Sequence, residues 1–223
     1  VEQSLERLQL DSLDLVQIHQ PDEHTPFNET MSALLDLRSA GKIRHIGVSN
    51  FSPAQVKSAQ RALNDVPLAS IQNEYSLVRR QIEAKLLPVC IAQNIGVLAY
   101  SPLAAGILTG SSKIQITPSM QHVIDNTLRP LAAQYGVSPA AIALAWVCQQ
   151  SGVNAAIAGA STTAQVLEQA SALDLNLSKQ ALMQLTTEFA TSPLEYPELL
   201  PKGIYRRARR LMGKTLRKLG LKK

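Results

Sequence analysis

The chain has 223 residues, of which 45% are hydrophobic and 17% charged, as is typical of a globular protein with one sizeable core. No stretch approaches the roughly 18 uninterrupted apolar residues of a membrane-spanning helix. The N-terminus also lacks the basic segment and apolar stretch of a secretory signal. These features argue against a membrane-spanning or secreted protein and predict a cytoplasmic one. Aromatic residues make up only 4% of the chain, so the core is predicted to be mostly aliphatic.

The formal net charge of +5 is distributed unevenly along the chain. Residues 202–223 contain ten Lys or Arg and no Asp or Glu, so the remaining 201 residues carry a net charge of −5. This distribution argues against nucleic-acid binding by the body of the protein. The basic tail, residues 196–223, has apolar residues near helical spacing. It is predicted to be an amphipathic helix that contacts a membrane or an acidic partner, or else a solvated helix on the acidic body.

Two cysteines, Cys90 and Cys148, lie in apolar helical stretches. Their spacing is not typical of a disulfide or of a metal site. We therefore expect two buried free thiols in a reducing compartment, and no bound metal.

From residue 13 onward, short apolar runs alternate with amphipathic segments. The runs have little polar alternation, as strands covered on both faces do, and they predict five strands at residues 13–19, 43–50, 69–75, 96–101 and 154–159. Residues 1–10 predict a first helix, and the other helices are predicted at residues 28–40, from 53 onward, and at 81–94, 130–151, 163–173 and 178–189. Three positions are predicted to bound helices: Ser52 before Pro53, Gly136 as a corner, and Thr162 or Thr163 as a cap.

Strands that alternate with helices predict a parallel sheet, in either a doubly wound α/β fold or a (β/α)₈ TIM barrel. A doubly wound nucleotide-binding fold favours a Gly-x-Gly-x-x-Gly loop, and the chain has none. Polar or aromatic side chains follow nearly every predicted strand, and in a barrel these strand ends converge on one rim. We therefore expect an incomplete TIM barrel over residues 1–195, with about three βα units missing from the front.

Five motifs, in order, resemble those of one protein family. They are LDLVQIHQPD at 13–22, KIRHIGVSNF at 42–51, QNEY at 72–75, LAYSPL at 98–103 and IAGASTT at 157–163. Over residues 1–190 the chain resembles the aldo-keto reductases, and residues 13–22 resemble the fourth strand of that family. The resemblance implies barrel strands 4–8 and an oxidoreductase that reduces a small aldehyde or ketone by hydride transfer from NADP(H), with NAD as a possibility.

The resemblance also implies roles for residues at the strand ends. His19 would orient and polarise the substrate carbonyl, because an imidazole can donate to an oxygen that gains negative charge. Ser49, Asn50 and Gln72 would bind the nicotinamide carboxamide, and Tyr100 would stack on the nicotinamide ring. Taken singly, each residue type also fits a structural role: a histidine bonded to backbone, a turn cap, or a core tyrosine.

A second group of residues is implied to bind the rest of the cofactor. Ser101 and Leu103 resemble residues whose backbone approaches the pyrophosphate. The adenosine end would contact Gly159, Ala160, Ser161, Thr162, Gln165 and Gln169. Hydroxyls and free N–H groups at a helix start suit the 2′-phosphate of NADP. The chain departs from the family here, since Gln165 stands where an Arg is expected and Gln169 replaces a frequent Asn.

The proton-donating Tyr of the family, the Lys that lowers its pKa and their partner Asp cannot be assigned in this chain. The resemblance places them in the first three units. A phenol with an unperturbed pKa near 10 is a poor acid at neutral pH. We therefore expect residues 1–223 to be inactive alone. The alternative is a truncated, non-catalytic barrel that acts as a regulatory or interaction module.

Overall fold

The computed structural model of the chain describes residues 1–22, 24–110, 114 and 116–191. The basic tail predicted at residues 196–223 lies outside the described residues. Its proposed contact with an acidic surface or a membrane therefore stays a prediction.

The described residues form one sheet of five parallel strands arranged in chain order. The strands are β1 (Leu13–Ile18), β2 (Ile43–Ser49), β3 (Leu68–Glu74), β4 (Gly96–Tyr100) and β5 (Val153–Ile157). All neighbours pair in parallel, with Gln17 opposite Gly47, Ser49 opposite Gln72, and Glu74 opposite Tyr100. The prediction of an α/β fold with five parallel strands is confirmed.

Nine α-helices precede, connect or follow these strands within the described residues. They are α1 (Glu2–Leu8), α2 (Phe27–Ser39), α3 (Pro53–Ala62), α4 (Leu86–Ala92), α5 (Pro118–Val123), α6 (Arg129–Tyr135), α7 (Pro139–Cys148), α8 (Thr163–Ala170) and α9 (Lys179–Thr191). A 3₁₀ segment covers Ala104–Thr109, another follows α8 at Ser171–Leu173, and a π-helical turn joins α5 to α6 at Ile124–Leu128.

The predicted helix boundaries are confirmed where a capping residue specifies them. The Ser52 hydroxyl accepts a hydrogen bond from the N–H of Gln55, whose side chain accepts from the N–H of Ser52, so α3 begins with a reciprocal cap. Gly136 has φ +67° and ends α6, as predicted. The hydroxyl of Thr162 caps α8.

Two helices differ from the sequence prediction. Helix α4 begins at Leu86 rather than Gln81, because the chain turns at residues 81–85, where the Arg80–Glu83 ion pair forms. Helix α5 was not predicted. Its start is marked by Thr117, whose hydroxyl accepts from the N–H of Met120, and by Pro118 in the first helical position.

Helices cover one face of the sheet, and this layer forms the core. Alternate strand residues face the helices and are fully buried: Ile46, Val48, Ile71, Val97 and Ala99. Helix α7 is buried along Ala140–Val147 and contacts β5, α6 and α8. On the opposite face Leu15 and Ile157, at the two edges of the sheet, are 37% and 44% exposed. That face is therefore only partly covered, and polar and aromatic side chains of the strands can be accommodated there.

The two cysteines differ from each other in exposure. Cys90 is buried in α4, as predicted, and burial raises the pKa of its thiol to about 11. The prediction that Cys148 is buried was wrong, and its side chain is exposed. Cys148 is the last residue of α7 and lies beside β5, which is at the edge of the sheet. Both are free thiols, as expected.

No single helix among the described residues is both long and apolar enough to cross a membrane. The pair formed by Pro118–Tyr135 and Pro139–Cys148 satisfies length and composition together, but it is bent by 89°.

A half-buried polar cluster holds α9 against the body of the protein. Arg80 donates to both carboxylate oxygens of Glu83 at 2.8 Å and to the carbonyl of Thr186 in α9 at 2.7 Å. The indole N–H of Trp146 donates to the Thr186 hydroxyl at 3.1 Å, and the Arg80 guanidinium lies 5.4 Å from the Trp146 ring centroid. Tyr75 donates its hydroxyl to Glu83 at 2.7 Å.

Opposing effects set the ionisation of Glu83. Burial alone would raise the pKa of this carboxyl, but the hydrogen bonds from Arg80 and Tyr75 and the Arg80 charge hold it below its ordinary value of 4.5. Burial and the neighbouring carboxylate raise the pKa of Tyr75 far above its ordinary value, so the phenol stays a donor. Glu83 is thus ionised over the neutral range and stabilises the folded state there.

We predict that Glu83→Gln lowers the free energy of unfolding at neutral pH by about 1–2 kcal/mol, because Arg80 loses its counter-charge in a half-buried position. Since the folded pKa of Glu83 is depressed, its contribution is present above the ordinary value of 4.5 and is lost as pH falls through the folded pKa. The difference between wild type and variant should therefore shrink in acid. Urea denaturation followed by the fluorescence of Trp146 measures it.

Asp14→Asn is the matched control, since the Arg44–Asp14 pair is 66% and 78% exposed. It should cost less than about 0.5 kcal/mol. Equal losses for both variants, or a Glu83→Gln effect that does not change with pH, would contradict this account of the cluster.

Candidate functional site

The carboxyl ends of β1 to β4 meet at one rim of the sheet, because neighbouring parallel strands all end on the same side. Five side chains predicted from the sequence lie at these ends or within two residues of them. We call His19, Ser49, Asn50, Gln72 and Tyr100 the rim network.

Asn50 connects the other members of the rim network. Its N–H donates to the carbonyl of Gln72 at 3.0 Å. Its side-chain amide donates to the carbonyl of His19 at 3.0 Å and to the hydroxyl of Ser49 at 3.1 Å. Its side-chain oxygen accepts from the hydroxyl of Tyr100 at 2.9 Å. Residues from four strand ends are therefore in direct contact through one asparagine.

The backbone of Asn50 has φ +61°, in the left-handed region. Asn visits this region more readily than other non-glycine residues, since its short amide can bond locally. This conformation turns the chain out of β2 toward α3, while the Asn50 side chain bonds to the neighbouring strand ends.

Two further residues support Gln72 beneath the rim. The Gln72 side chain donates to the side-chain oxygen of Gln17 at 3.0 Å, and Gln17 donates to the hydroxyl of Ser70 at 3.1 Å. Gly47 leaves the necessary space, since a Cβ there would lie 2.5 Å from the Ser70 Oγ and 2.8 Å from the Gln17 Cγ. Gln17 was not predicted from the sequence as a site residue. It lies two residues before His19, hence on the same strand face, and it interrupts an apolar run.

The members of the rim network differ in accessibility. Ser49 is 3% exposed and donates its hydroxyl to the carbonyl of Gln72 at 2.9 Å. Gln72 and Tyr100 are half-buried, so part of each side chain is accessible. His19 is exposed, and its carbonyl oxygen accepts the bond from Asn50. The predicted role of its imidazole stays a prediction.

A cavity of about 500 Å³ lies beside the rim network, between the segment that follows β4 and the loop that follows β5. It begins at Ser101, the residue after Tyr100. Six of the predicted cofactor-binding residues line it: Ser101, Leu103, Gly159, Ser161, Gln165 and Gln169. Ala160 and Thr162 belong to the same loop but are not among the lining residues. The structure thus brings most of the second predicted group together.

The backbone that forms one wall of the cavity is unusual. Ser101, Ala104, Ala105 and Gly106 have φ values of 52°, 50°, 54° and 95°. The alanines have no side-chain oxygen or amide to offset the cost of left-handed backbone, so the surrounding contacts must hold them there. The N–H of Ala104 donates to the carbonyl of Ser101, and the Thr109 hydroxyl donates to that of Gly106. Strained backbone of this kind is enriched at ligand-binding sites.

The other wall is held by side-chain amides. Gln169 donates to the carbonyl of Gly159 at 2.9 Å, and Gln165 accepts from the N–H of Ser161 at 2.7 Å. The N–H of Gln165 in turn donates to the hydroxyl of Thr162 at 3.2 Å. The expectation of free N–H groups in this loop was therefore wrong for Ser161, because the side chain of Gln165 already accepts from its N–H.

We predict that Asn50→Asp destabilises the fold more than Tyr100→Phe. Asp tolerates the same backbone conformation but loses both amide donors and places a carboxylate beside the carbonyl of His19. It should cost about 2–3 kcal/mol, whereas Tyr100→Phe removes the half-buried bond to the side-chain oxygen of Asn50 and should cost about 1 kcal/mol. Urea denaturation compares them, and a larger loss for Tyr100→Phe would contradict the central position of Asn50.

Comparisons with family models, curated proteins and solved structures all indicate the same family. Residues 1–187 match the aldo/keto reductase family. An NADH-specific methylglyoxal reductase of Escherichia coli (strain K12) is 36% identical over 193 residues, which cover 78% of this chain and 58% of that protein. Aldo-keto reductase YhdN of Bacillus subtilis (strain 168) is 34% identical over 220 residues, which cover 90% of this chain and 66% of that protein.

A solved structure supports the same assignment. The thermostable aldo-keto reductase Tm1743, crystallised with the inhibitor epalrestat, superposes with a TM-score of 0.73 at 29% identity, covering 84% of this chain and 64% of that one. The chain thus spans less than two thirds of the length of these proteins. The predicted resemblance is confirmed, and the chain belongs to the aldo/keto reductase family.

Proposed function

We propose that the chain forms the nicotinamide-binding rim of an oxidoreductase that reduces a small aldehyde or ketone. The observation that carries this proposal is the continuity of the rim network with the cavity, since Tyr100 belongs to the first and Ser101 lines the second. A dinucleotide needs such a pair of adjoining sites, one for its nicotinamide and one for its pyrophosphate and adenosine. The name of the methylglyoxal reductase agrees with an aldehyde substrate.

The residues present fit a nicotinamide dinucleotide. A carboxamide offers two N–H donors and one oxygen acceptor, and the hydroxyl of Ser49 with the amides of Asn50 and Gln72 offers the complementary groups. The Asn50 amide donates to the Ser49 hydroxyl at 3.1 Å, and this hydroxyl donates to the backbone carbonyl of Gln72 at 2.9 Å. The Gln72 amide donates to Gln17 at 3.0 Å, so all three side chains are held in place before a ligand binds. The cavity volume of about 500 Å³ lies within the range of small-molecule sites.

When bound, the cofactor supplies the hydride from its nicotinamide ring. The rim network fixes which face of that ring meets the substrate, because the carboxamide contacts prevent the ring from turning over. Tyr100 lies beside Asn50 at 2.9 Å and offers an aromatic face to stack against the ring. His19, exposed at the end of β1, donates a hydrogen bond to the substrate carbonyl, whose oxygen gains negative charge as the hydride arrives.

The source of the proton that completes the reduction stays a prediction. The resemblance implies a Tyr, Lys and Asp in three βα units before residue 1, which would make β1–β5 the strands 4–8 of the barrel. The family match begins at residue 1 and gives no support to this expectation. The resemblance implies NADP, with NAD as the alternative, and both cofactors carry the same nicotinamide and pyrophosphate groups.

We predict that Gln72→Ala and Tyr100→Ala each weaken binding of NADH and NADPH about tenfold, since each removes contacts worth about one hydrogen bond or one stacked ring. The fluorescence of the reduced nicotinamide on titration measures binding. Asn126→Ala is the matched control, because this exposed asparagine lies on the π-helical turn and, among the described residues, bonds only to His122. Equal losses in the control, or no binding of either cofactor by the unchanged chain, would contradict the proposal.

A measurement of cofactor oxidation distinguishes the proposed enzyme from the non-catalytic alternative. If three βα units precede residue 1, as expected from the resemblance, the protein that includes them should oxidise NADH or NADPH when methylglyoxal or another small aldehyde is added. Residues 1–223 alone should bind the cofactor, and the sequence predicts that they show no turnover. Binding without turnover in the longer protein as well would favour the regulatory or interaction module.

A further inference from the structure

We propose that Arg129, the first residue of α6, is a positioning residue that holds the strained wall of the cavity in the conformation that binds the cofactor. That wall is formed by Ser101 and the 3₁₀ segment Ala104–Thr109, which we call the wall segment. Arg129 and its partner Gly110 are not among the residues that line the cavity. The inference rests on the proposed function, because it concerns how the same site keeps its shape.

The wall segment is buried on one side and accessible on the other. Ala104, Ile107 and Leu108 are at most 1% exposed, so packing in the core holds the buried side. Ala105 is exposed and Thr109 is half-buried, and both line the cavity. Left-handed backbone at an alanine persists only where neighbouring contacts hold it, and Ala105 has φ 54°. The accessible side of the segment therefore needs support from outside the core.

Arg129 provides a contact of this kind at the end of the wall segment. Its guanidinium donates to the carbonyl of Gly110 at 2.5 Å, directly after Thr109. Gly110 has φ +71°, and a Cβ at this position would lie 3.2 Å from the Cζ of Arg129. Glycine thus permits both the turn of the backbone and the close approach of the guanidinium. The contact fixes the point at which the wall segment ends.

The guanidinium of Arg129 is itself oriented by a carboxylate. Its Nε donates to Asp125 at 2.9 Å, and the other oxygen of Asp125 accepts from the side chain of Gln121 at 2.8 Å. The hydrogen bonds from Gln121 and Arg129 hold the pKa of Asp125 below its ordinary value of 3.8, so this carboxyl is ionised at neutral pH. Asp125 lies on the π-helical turn that precedes Arg129, and such turns are frequent at functional sites.

The loss of Arg129 should therefore weaken cofactor binding without removing a cofactor contact. When the end of the wall segment is free to move, binding must also order it, which lowers the affinity. We expect Arg129→Gln to weaken the binding of NADH and of NADPH by the full chain about fivefold each. The two losses should be equal, since both cofactors carry the same pyrophosphate. The fluorescence of the reduced nicotinamide on titration measures them.

Three further measurements distinguish a positioning role from a general effect on stability. Arg129→Lys should recover part of the affinity, because an ammonium can reach one partner but cannot bridge both. Asp125→Ala should weaken binding about twofold and add nothing to Arg129→Gln, since both changes act through the same contact. The N–H groups of Leu108 and Gly110, which donate to carbonyls of residues 103 and 107, should exchange faster in Arg129→Gln.

Arg38→Gln is the matched control, because Arg38 is also an exposed arginine that donates to a backbone carbonyl, that of Arg44 at 3.2 Å. It should leave both affinities and the exchange of the wall segment unchanged. Unchanged affinity in Arg129→Gln, or an equal loss in Arg38→Gln, overturns the inference while the proposed function stands. If Arg129→Gln fails to fold, full affinity in Asp125→Ala overturns it instead. Failure of the unchanged chain to bind either cofactor overturns the proposed function itself.

Discussion

The site depends on one set of hydrogen bonds, those made by Asn50 where β2 ends. A strand end is a place where backbone groups lose their partners in the sheet, and each unpaired buried group costs free energy. Asn50 satisfies the carbonyls of His19 and Gln72 and binds the hydroxyls of Ser49 and Tyr100. One left-handed asparagine thus connects four strand ends by hydrogen bonds and holds together the side chains that the proposed function requires.

The two faces of the sheet have different roles, one in the core and the other in the polar contacts below the rim. The face of Ile46, Val48 and Ile71 is covered by helices and supplies the burial that stabilises the fold. Because successive side chains alternate, the residues between them, such as Ser49, Ser70 and Gln72, point to the other face. There they bond to one another and to Gln17. These hydrogen-bonded polar side chains can be accommodated in the sheet because the apolar burial that stabilises the fold occurs on the opposite face.

Much of this arrangement could be predicted from the sequence, for identifiable reasons. The strands were located by apolar runs, and the starts of α3 and α8 by capping residues whose side chains bond locally. The rim network followed from polar residues at strand ends, because parallel topology brings such ends together. The signal for α5, Thr117 followed by Pro118, was equally present in the sequence but lay in a stretch without apolar periodicity.

The remaining differences arise from tertiary contacts. The exposure of Cys148 depends on its position beside an edge strand, and the role of Gln17 on what lies across the sheet. The occupied N–H of Ser161 depends on the conformation of a glutamine side chain.

The central claim is that residues from separate strand ends and from the loop after β5 form one nicotinamide dinucleotide site. Backbone hydrogen exchange of the chain, with and without saturating NADH, tests this most directly. The account predicts slower exchange confined to the segments around 49–52, 72–75, 100–109 and 158–169, with no change in α2 or in the exposed face of α3. Slowing spread evenly over the sheet, or found only at one of these segments, would show that they do not form a single site.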